Sequence, residues 1–154
     1  MKVIFLDIDG VLNNDGSIQR YGTNLKPDPE NVAQLNRVAA AVDARIVVTS
    51  NWREQQPLWR IQAILGQVLG VTADIIGMTP DLKRLANLYP EDKHIFWVRP
   101  LEIERWLRSN PWVSKYAMID DHAYKNVGRE FCKTDPAHGL TKEIADSIIE
   151  FFEV

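Results

Sequence analysis

The chain has 154 residues, a formal net charge of −3, a single cysteine and 45% hydrophobic residues. This length predicts one domain over residues 1–154 with a core of its own, and a single cysteine excludes an internal disulfide. The weak negative charge provides no overall basic field for nucleic acid, and no apolar run reaches the roughly 18 residues of a membrane span. We therefore expect a cytoplasmic protein that has no membrane partner.

The first predicted elements are a strand, a flap and a helix. Residues 2–6, KVIFL, form a continuous apolar run that is typical of a strand buried in a parallel sheet. A polar stretch with two glycines follows at about 13–27 and predicts a long loop or flap without regular structure. Asp28 as N-cap and Pro29 at the first helical position then predict a helix over about 29–42.

The rest of the chain alternates between strands and helices. Strands are predicted at 45–48, 73–78, 116–119 and 130–133, and helices at 57–69, 100–109 and 140–152. Residues 81–98 give no clear pattern, with a short helix broken at Pro90 and an ambiguous HIFWV segment. Such alternation predicts an α/β protein with three layers, in which helices cover both faces of a central, mainly parallel sheet of Rossmann-like type.

Three of the predicted strands stop at polar side chains. The first ends in DID at 7–9, the second in TSN at 49–51, and the fourth in DD at 120–121. In a parallel sheet these ends lie at one edge, where ligands bind. Carboxylates crowded at one edge repel each other unless a cation lies among them, and their hard oxygen atoms suit Mg²⁺.

The residue types at these strand ends fit phosphoryl transfer. Asp7 and Asp9 lie on the same side if the strand continues, so that Asp7 attacks an electrophile while Asp9 handles a proton. A carboxylate nucleophile of this kind forms an aspartyl-phosphate. Thr49 and the backbone N–H groups of Ser50 and Asn51 are suited to phosphate oxygens, and a Lys or Arg would complete the clamp.

Six segments carry a resemblance to a known family. FLDIDGVLN, IVVTSNWR and YAMIDD resemble, in this order, the first, second and fourth motifs of the haloacid dehalogenase (HAD) superfamily. IIGMTP, RPLEIERWL and TDPAHGLT together resemble the small HAD domain found among Swiss-Army-knife RNA-repair proteins and their stand-alone relatives. The resemblance extends from residue 3 to about 142. It implies an HAD-like fold with a minimal cap and a Mg²⁺-dependent phosphatase that hydrolyses a phosphate monoester.

The resemblance also implies a role for each motif residue. Asp7 is the nucleophile and a Mg²⁺ ligand, and Asp9 is the general acid and base whose main-chain carbonyl contacts the metal. Asp120 is a further metal ligand, and Asp121 assists it or binds through water. Thr49 binds phosphate. An acid at position 9 favours phosphatase over dehalogenase chemistry, because cleavage of a carbon–halogen bond needs no proton for the leaving group.

The third motif of the family supplies a cation ahead of the fourth motif, and this chain offers several. Arg99 is our first choice because RPLEIERWL resembles the corresponding stretch of small members, and its implied role is to bind the phosphoryl group. Lys93 is the second choice, and Lys83 and Lys115 are weaker. A solvated arginine or a surface ion pair is the competing interpretation of Arg99.

Other side chains keep two interpretations. The indole of Trp52 either stacks on a base or sugar of the substrate or packs into the protein. His122 either supports the metal ligands or is an ordinary loop histidine. Arginines and glutamates alternate along two stretches, which favours a solvated face of mixed charge over a basic groove; they are Arg53, Glu54, Arg60, Arg99, Glu102, Glu104, Arg105 and Arg108.

The sequence leaves the partner and one alternative function open. The expected substrate is a phosphorylated small molecule or a nucleic-acid terminus, because an open site admits both. A non-enzymatic phospho-acceptor or phosphate-binding signalling module is the alternative, since such domains also gather carboxylates and Mg²⁺ at strand ends. Monomer and homodimer remain open for the oligomeric state.

Overall fold

A computed structural model describes residues 1–54, 56–83 and 95–154, with the backbone alone described at 95–97. The expectations for Pro90 and Lys93, and for most of the unclear segment 81–98, concern residues outside these ranges. No helix in the described ranges has the length and apolar character that crossing a membrane requires.

Five parallel strands form one sheet within the described part of the chain, and their order is β3-β2-β1-β4-β5. The strands are β1 (Lys2–Leu6), β2 (Ala44–Val48), β3 (Ile75–Met78), β4 (Lys115–Asp120) and β5 (Phe131–Lys133). The first strand therefore lies at the centre, between β2 and β4. The predicted α/β fold with a parallel sheet is confirmed.

The described helices are α1 (Asp15–Tyr21), α2 (Pro29–Val42), α3 (Leu58–Ala63), α4 (Ile95–Arg108) and α5 (Lys142–Glu153). A 3₁₀ helix, Asn51–Glu54, follows β2, and a π-helical turn, Ile64–Val68, continues α3. The predicted bounds of α2 are confirmed, and Asp28 accepts a hydrogen bond from the backbone of Glu30 at its start. Thr141 caps α5 as expected.

Helices pack on both faces of the sheet because β1 is apolar on both sides. Ile4 and Leu6 belong to a buried cluster with residues of α2, α3 and α5. Val3 and Phe5 point to the opposite face and belong to a second cluster with Ile103 of α4. This arrangement gives the three layers expected from the sequence, and it leaves the carboxyl ends of β1, β2 and β4 next to each other.

Two local predictions are wrong. The stretch 13–27 is not a structureless loop, because it contains α1, which Asn14 and Ser17 cap reciprocally. Pro100 does not mark the start of its helix, because α4 begins at Ile95 and continues through the proline. Val98, two residues before the proline, is buried, so packing of the apolar stretch extends the helix beyond what the proline rule predicts.

Candidate active site

The ends of the three central strands bring the predicted site residues together. Leu6 pairs with Val48 of β2 and with Ile119 of β4, so the residues that follow these three lie side by side. The backbone N–H of Asp7 donates to Ile119 (3.0 Å), and that of Thr49 donates to Leu6 (2.8 Å). The expectation of a common edge for DID, TSN and DD is therefore met in the structure.

Four side chains at this edge form a candidate metal centre. Asp7, Asp120, Asp121 and His122 each offer one ligand atom, and these atoms all lie within 4.8 Å of one another. Asp7 is 5% exposed and Asp120 is fully buried. Buried carboxylates this close repel each other unless a cation lies among them or one of them takes up a proton, and their oxygen atoms are ligands that fit a divalent ion.

The pKa values of the two buried carboxylates, Asp7 and Asp120, are shifted in opposite directions. Burial and then the negative charge of Asp120 raise the pKa of Asp7 to about 7. Burial alone would raise the pKa of Asp120 too, but hydrogen bonds from His122 and the charge of Arg99 outweigh it, and the pKa is lowered. The hydroxyl of Tyr124 also donates to Asp120 Oδ2 (2.8 Å). Asp120 is thus held as an anion. The unfavourable effects of burial and of like charge fall mainly on Asp7, whose pKa is raised.

His122 belongs to this cluster, which the interpretation as a loop histidine does not anticipate. Its Nδ1 lies 2.8 Å from Asp121 Oδ1 and 3.3 Å from Asp120 Oδ1. The hydrogen bond with Asp120 raises the pKa of His122 to about 9. The sequence signal was its position two residues after Asp120, where a turn brings its backbone N–H to the same carboxylate (3.0 Å).

The carboxylate of Asp9 is not one of the four clustered side chains. It accepts hydrogen bonds from Asn13 Nδ2 (2.8 Å), Trp52 Nε1 (3.2 Å) and Asn24 Nδ2 (3.3 Å). These donors come from the turn after β1, from the 3₁₀ helix and from the loop after α1. Contact between the Asp9 carbonyl and the metal stays a prediction, while the side chain is oriented by three donors.

A glycine allows the turn after β1 to lie against the fourth motif. Gly10 has a φ of +73°, and a Cβ at this position would be 2.5 Å from Asp121 Oδ2. Any other residue would therefore be strained and would displace the acid. The glycine that follows the two acids is needed for close packing of the two acidic segments, in addition to forming a turn.

Two unpartnered polar atoms lie beside the acidic cluster. Thr49 Oγ1 and Arg99 Nη1 are buried and have no hydrogen-bond partner among the described residues. Arg99 Nε lies 3.6 Å from Asp120 Oδ2, and Arg99 Nη2 donates to Asn51 Oδ1 (3.4 Å). Since buried polar groups are normally satisfied, these two donors indicate a place for an anion. The side chain of Ser50 is used locally, as its Oγ accepts from the backbone of Trp52 (3.3 Å).

The structure separates the candidates for the cation of the third motif. Arg99 approaches the acidic cluster directly, and the charges of Asp7 and Asp120 outweigh its burial and raise its pKa. Lys83 pairs with Glu54 instead. Lys115 opens β4 and so lies at the opposite edge of the sheet from Asp120. Lys93 lies outside the described residues.

Two charges predicted to be on a solvated face are in fact buried. Arg53 Nη2 and Glu102 Oε2 are 2.6 Å apart, and both side chains are at most 2% exposed. No local pattern indicates this pair, because its members are 49 residues apart. Arg105 and Arg108 are exposed, as expected for a solvated face.

One comparison with known proteins gives a match. The family model described as "HAD domain in Swiss Army Knife RNA repair proteins" matches residues 3–145. No curated protein and no solved structure matches the chain. The matched segment begins in β1 and ends in α5, and it contains every residue of the acidic cluster together with Thr49 and Arg99.

Proposed function

Since this chain belongs to the family of HAD domains found in Swiss Army Knife RNA repair proteins, we propose that it is a metal-dependent phosphatase that hydrolyses a phosphate monoester through an aspartyl-phosphate. One observation carries the proposal: the acidic cluster and the unpartnered donors Thr49 Oγ1 and Arg99 Nη1 lie at the same sheet edge. A phosphoryl group needs this combination of a nucleophile, a cation and hydrogen-bond donors.

In the first half of the proposed reaction, each residue of the site has a separate role. Mg²⁺ held by Asp7, Asp120 and Asp121 would neutralise negative charge on the phosphoryl oxygens. A carboxylate oxygen of Asp7 attacks phosphorus, the bond between phosphorus and the ester oxygen breaks, and Asp9 gives its proton to that oxygen. Thr49 and Arg99 hold the phosphoryl oxygens during transfer.

The second half of the reaction uses the same groups in reverse roles. Asp9, now deprotonated, accepts a proton from a water molecule that attacks the phosphorus of the aspartyl-phosphate. The bond between phosphorus and Asp7 breaks, inorganic phosphate leaves, and Asp7 is regenerated. The three donors around Asp9 keep its carboxylate in a fixed direction for both proton transfers.

A nucleotide or a nucleic-acid end is the substrate class that we place first, ahead of other small phosphorylated molecules. The description of the family names RNA repair proteins. Trp52 is half-buried and its indole reaches Asp9, which places an aromatic ring beside the group that protonates the leaving oxygen. A base next to the scissile phosphate would find a stacking surface there.

A substrate panel with a nucleophile variant tests the proposal. The purified protein is assayed with an aryl phosphate, mononucleotides, polynucleotide 3′- and 5′-phosphates and sugar phosphates, with Mg²⁺ and with EDTA. We expect hydrolysis that EDTA abolishes and that Asp7→Asn lowers by on the order of 10³-fold or more. Asp74→Asn, at an exposed acid before β3, is the control and should retain activity.

Two outcomes would count against a phosphatase. The first is a wild-type protein that hydrolyses no member of the panel while Asp7→Asn is indistinguishable from it. The second is a stable phosphorylated protein, because a signalling module keeps its aspartyl-phosphate far longer than the seconds or less expected of a hydrolase. Chemical phosphorylation followed by quenching at intervals measures this lifetime.

A further inference from the structure

The buried ion pair between Arg53 and Glu102 lies outside the acidic cluster but is tied to both sides of the phosphate-binding region. Arg53 Nη2 donates to Glu102 Oε2 (2.6 Å). Arg53 Nη1 donates to the carbonyl of Thr49 (2.6 Å) and to Thr79 Oγ1 (2.7 Å). The second carboxylate oxygen of Glu102 accepts from the backbone N–H of Leu82 (2.9 Å). The pair thus joins the ends of β2 and β3 to α4.

The same helix carries the arginine that approaches the acidic cluster. Glu102 follows Arg99 by three residues in α4, so the two side chains lie on neighbouring positions of one helix face. Arg99 is itself bonded to Asn51, at the start of the 3₁₀ helix that contains Arg53. Two contacts therefore connect this short helix to α4. Thr49, whose hydroxyl has no partner, lies just before the short helix in the chain, and Arg99, whose Nη1 has no partner, lies on α4.

A purely stabilising role does not account for this pair. Removing two charges from water costs free energy that their attraction only partly recovers, and apolar residues of similar volume often stabilise a protein equally well. A guanidinium offers a rigid fork of donors that fixes direction as well as distance. Here the fork is divided between the backbone of Thr49 and the carboxylate of Glu102.

We infer that Arg53 and Glu102 are positioning residues, which hold Thr49 and Arg99 at the separation that a phosphoryl group requires. Neither residue touches the reacting atoms. Their effect reaches the site through the carbonyl of Thr49 on one side and through one turn of α4 on the other. The inference rests on the proposed function, because it assigns a purpose to the phosphate-binding side of that site.

The double variant Arg53→Met/Glu102→Met separates positioning from stability. Removing both charges leaves no buried ion without a partner, but it also removes the hydrogen bonds to Thr49, Thr79 and Leu82. We therefore expect a protein that is fully folded without urea and whose unfolding midpoint falls less than in either single Met variant. The affinity for orthovanadate in the presence of Mg²⁺, measured by calorimetry, should fall at least about tenfold, as a misplaced binding group predicts. The affinity for Mg²⁺ should change less than about twofold, because the acids do not contact the pair.

Single variants give a second measurement that does not depend on the double variant. Glu102→Gln keeps the shape of the side chain but removes its charge, and we expect vanadate affinity and kcat on p-nitrophenyl phosphate to fall together. Arg53→Lys keeps the charge without the fork, so it should recover the unfolding midpoint better than it recovers vanadate affinity. Arg37→Met removes an ion pair with Asp146 on the exposed surface and is the control.

The outcomes distinguish this inference from the proposed function. A wild-type protein that neither hydrolyses p-nitrophenyl phosphate nor binds vanadate overturns the proposed function, and the inference falls with it. An active wild type whose double variant or Glu102→Gln variant retains full vanadate affinity overturns the inference alone. Loss of vanadate affinity in a double variant that is fully folded without urea and that retains its affinity for Mg²⁺ supports it.

Discussion

The carboxylate of Asp9 is held by side chains from three segments, and one of them is an indole. Trp52 Nε1 donates to Asp9 Oδ2, while Asn13 and Asn24 donate to Oδ1. A carboxyl group that donates a proton and later accepts one changes its charge during the reaction, so what it needs from its neighbours is a fixed orientation. This gives Trp52 a role that neither stacking on a substrate nor packing in the core had suggested.

Trp52→Phe is expected to lower kcat by about tenfold while KM changes less than about threefold, because the ring remains and only the donor to Asp9 is lost. Steady-state kinetics on p-nitrophenyl phosphate measure both constants. Trp59→Phe, at a tryptophan that is 68% exposed, is the matched control. An unchanged kcat in Trp52→Phe would show that Asp9 does not depend on the indole.

Cys132 should be chemically quiet at neutral pH. Burial, followed by the charge of Glu130, raises the pKa of its thiol to about 11 from an ordinary value of 9.0. The thiolate is the reactive form, so a raised pKa means less of it: about a hundredfold less at pH 8. Alkylation by iodoacetamide should be correspondingly slow in the folded protein and should accelerate toward pH 11.

The unfolded chain is the internal control for this prediction. In urea the thiol returns to its ordinary pKa, so alkylation at pH 8 should proceed at the rate of a free cysteine. Rapid alkylation of the folded protein at pH 8 would contradict the packing of Cys132, in β5, against the buried cluster of the core.

At the scale of elements, sequence signals predicted α2 well and α1 not at all. The 14 residues of α2 show a full apolar period between an Asp cap and a polar end, and the prediction matched its bounds. The 7 residues of α1 are too few to show a period, and its Asn, Asp, Gly and Ser residues are also typical of turns. Its reciprocal cap, Asn14 with Ser17, differs from the usual pattern that ends in Glu or Gln.

Asn14→Ala tests how firmly α1 is attached. The Asn14 amide caps this helix through its oxygen, and its Nδ2 donates to the buried Asn31 Oδ1 (2.9 Å). We expect the free energy of unfolding to fall by about 1–3 kcal/mol, since a cap and a buried partner are both lost. Urea denaturation measures the change.

The cap of the last helix is a useful comparison for this variant. Thr141→Ala removes a cap from α5, a helix that carries none of the three donors to Asp9, and should lower stability without raising KM. Asn14→Ala should raise KM as well, because the loop after α1 carries Asn24 to Asp9. Equal kinetics in the two variants would show that α1 has no part in the site.

At the scale of the whole molecule, the parallel sheet made the site predictable and long-range pairing limited the prediction. Three strand ends with Asp7, Thr49 and Asp120 had to meet once the strands were parallel and adjacent. The ion pair of Arg53 and Glu102 could not be foreseen, because charged side chains in a sequence look solvated and only the tertiary fold buries them. The two interpretations of His122 could not be separated for the opposite reason: its signal was local but too common to be specific.

Metal should stabilise the folded protein through this sheet edge. Without a cation the buried carboxylates repel each other, and an ion that binds only the folded state adds about 2.7 kcal/mol at one hundred times its dissociation constant. We therefore expect the unfolding midpoint to rise with Mg²⁺ and to fall with EDTA.

Two variants localise that effect. Asp120→Asn should lose most of the Mg²⁺-dependent gain, because it removes a buried ligand of the cluster, whereas Asp74→Asn should keep it. A midpoint that is independent of Mg²⁺ in the wild type would contradict a metal centre at this edge.

The strand order also has a consequence for the growing polypeptide. The central strand is the first to leave the ribosome, whereas β4, which brings Asp120 beside Asp7, is synthesised more than one hundred residues later. A nascent chain that has reached only β3 can pair its first three strands while Asp7 still lacks its most repulsive neighbour. Translation therefore separates the synthesis of two carboxylates that the finished protein holds together, and their repulsion cannot arise before β4 has been made.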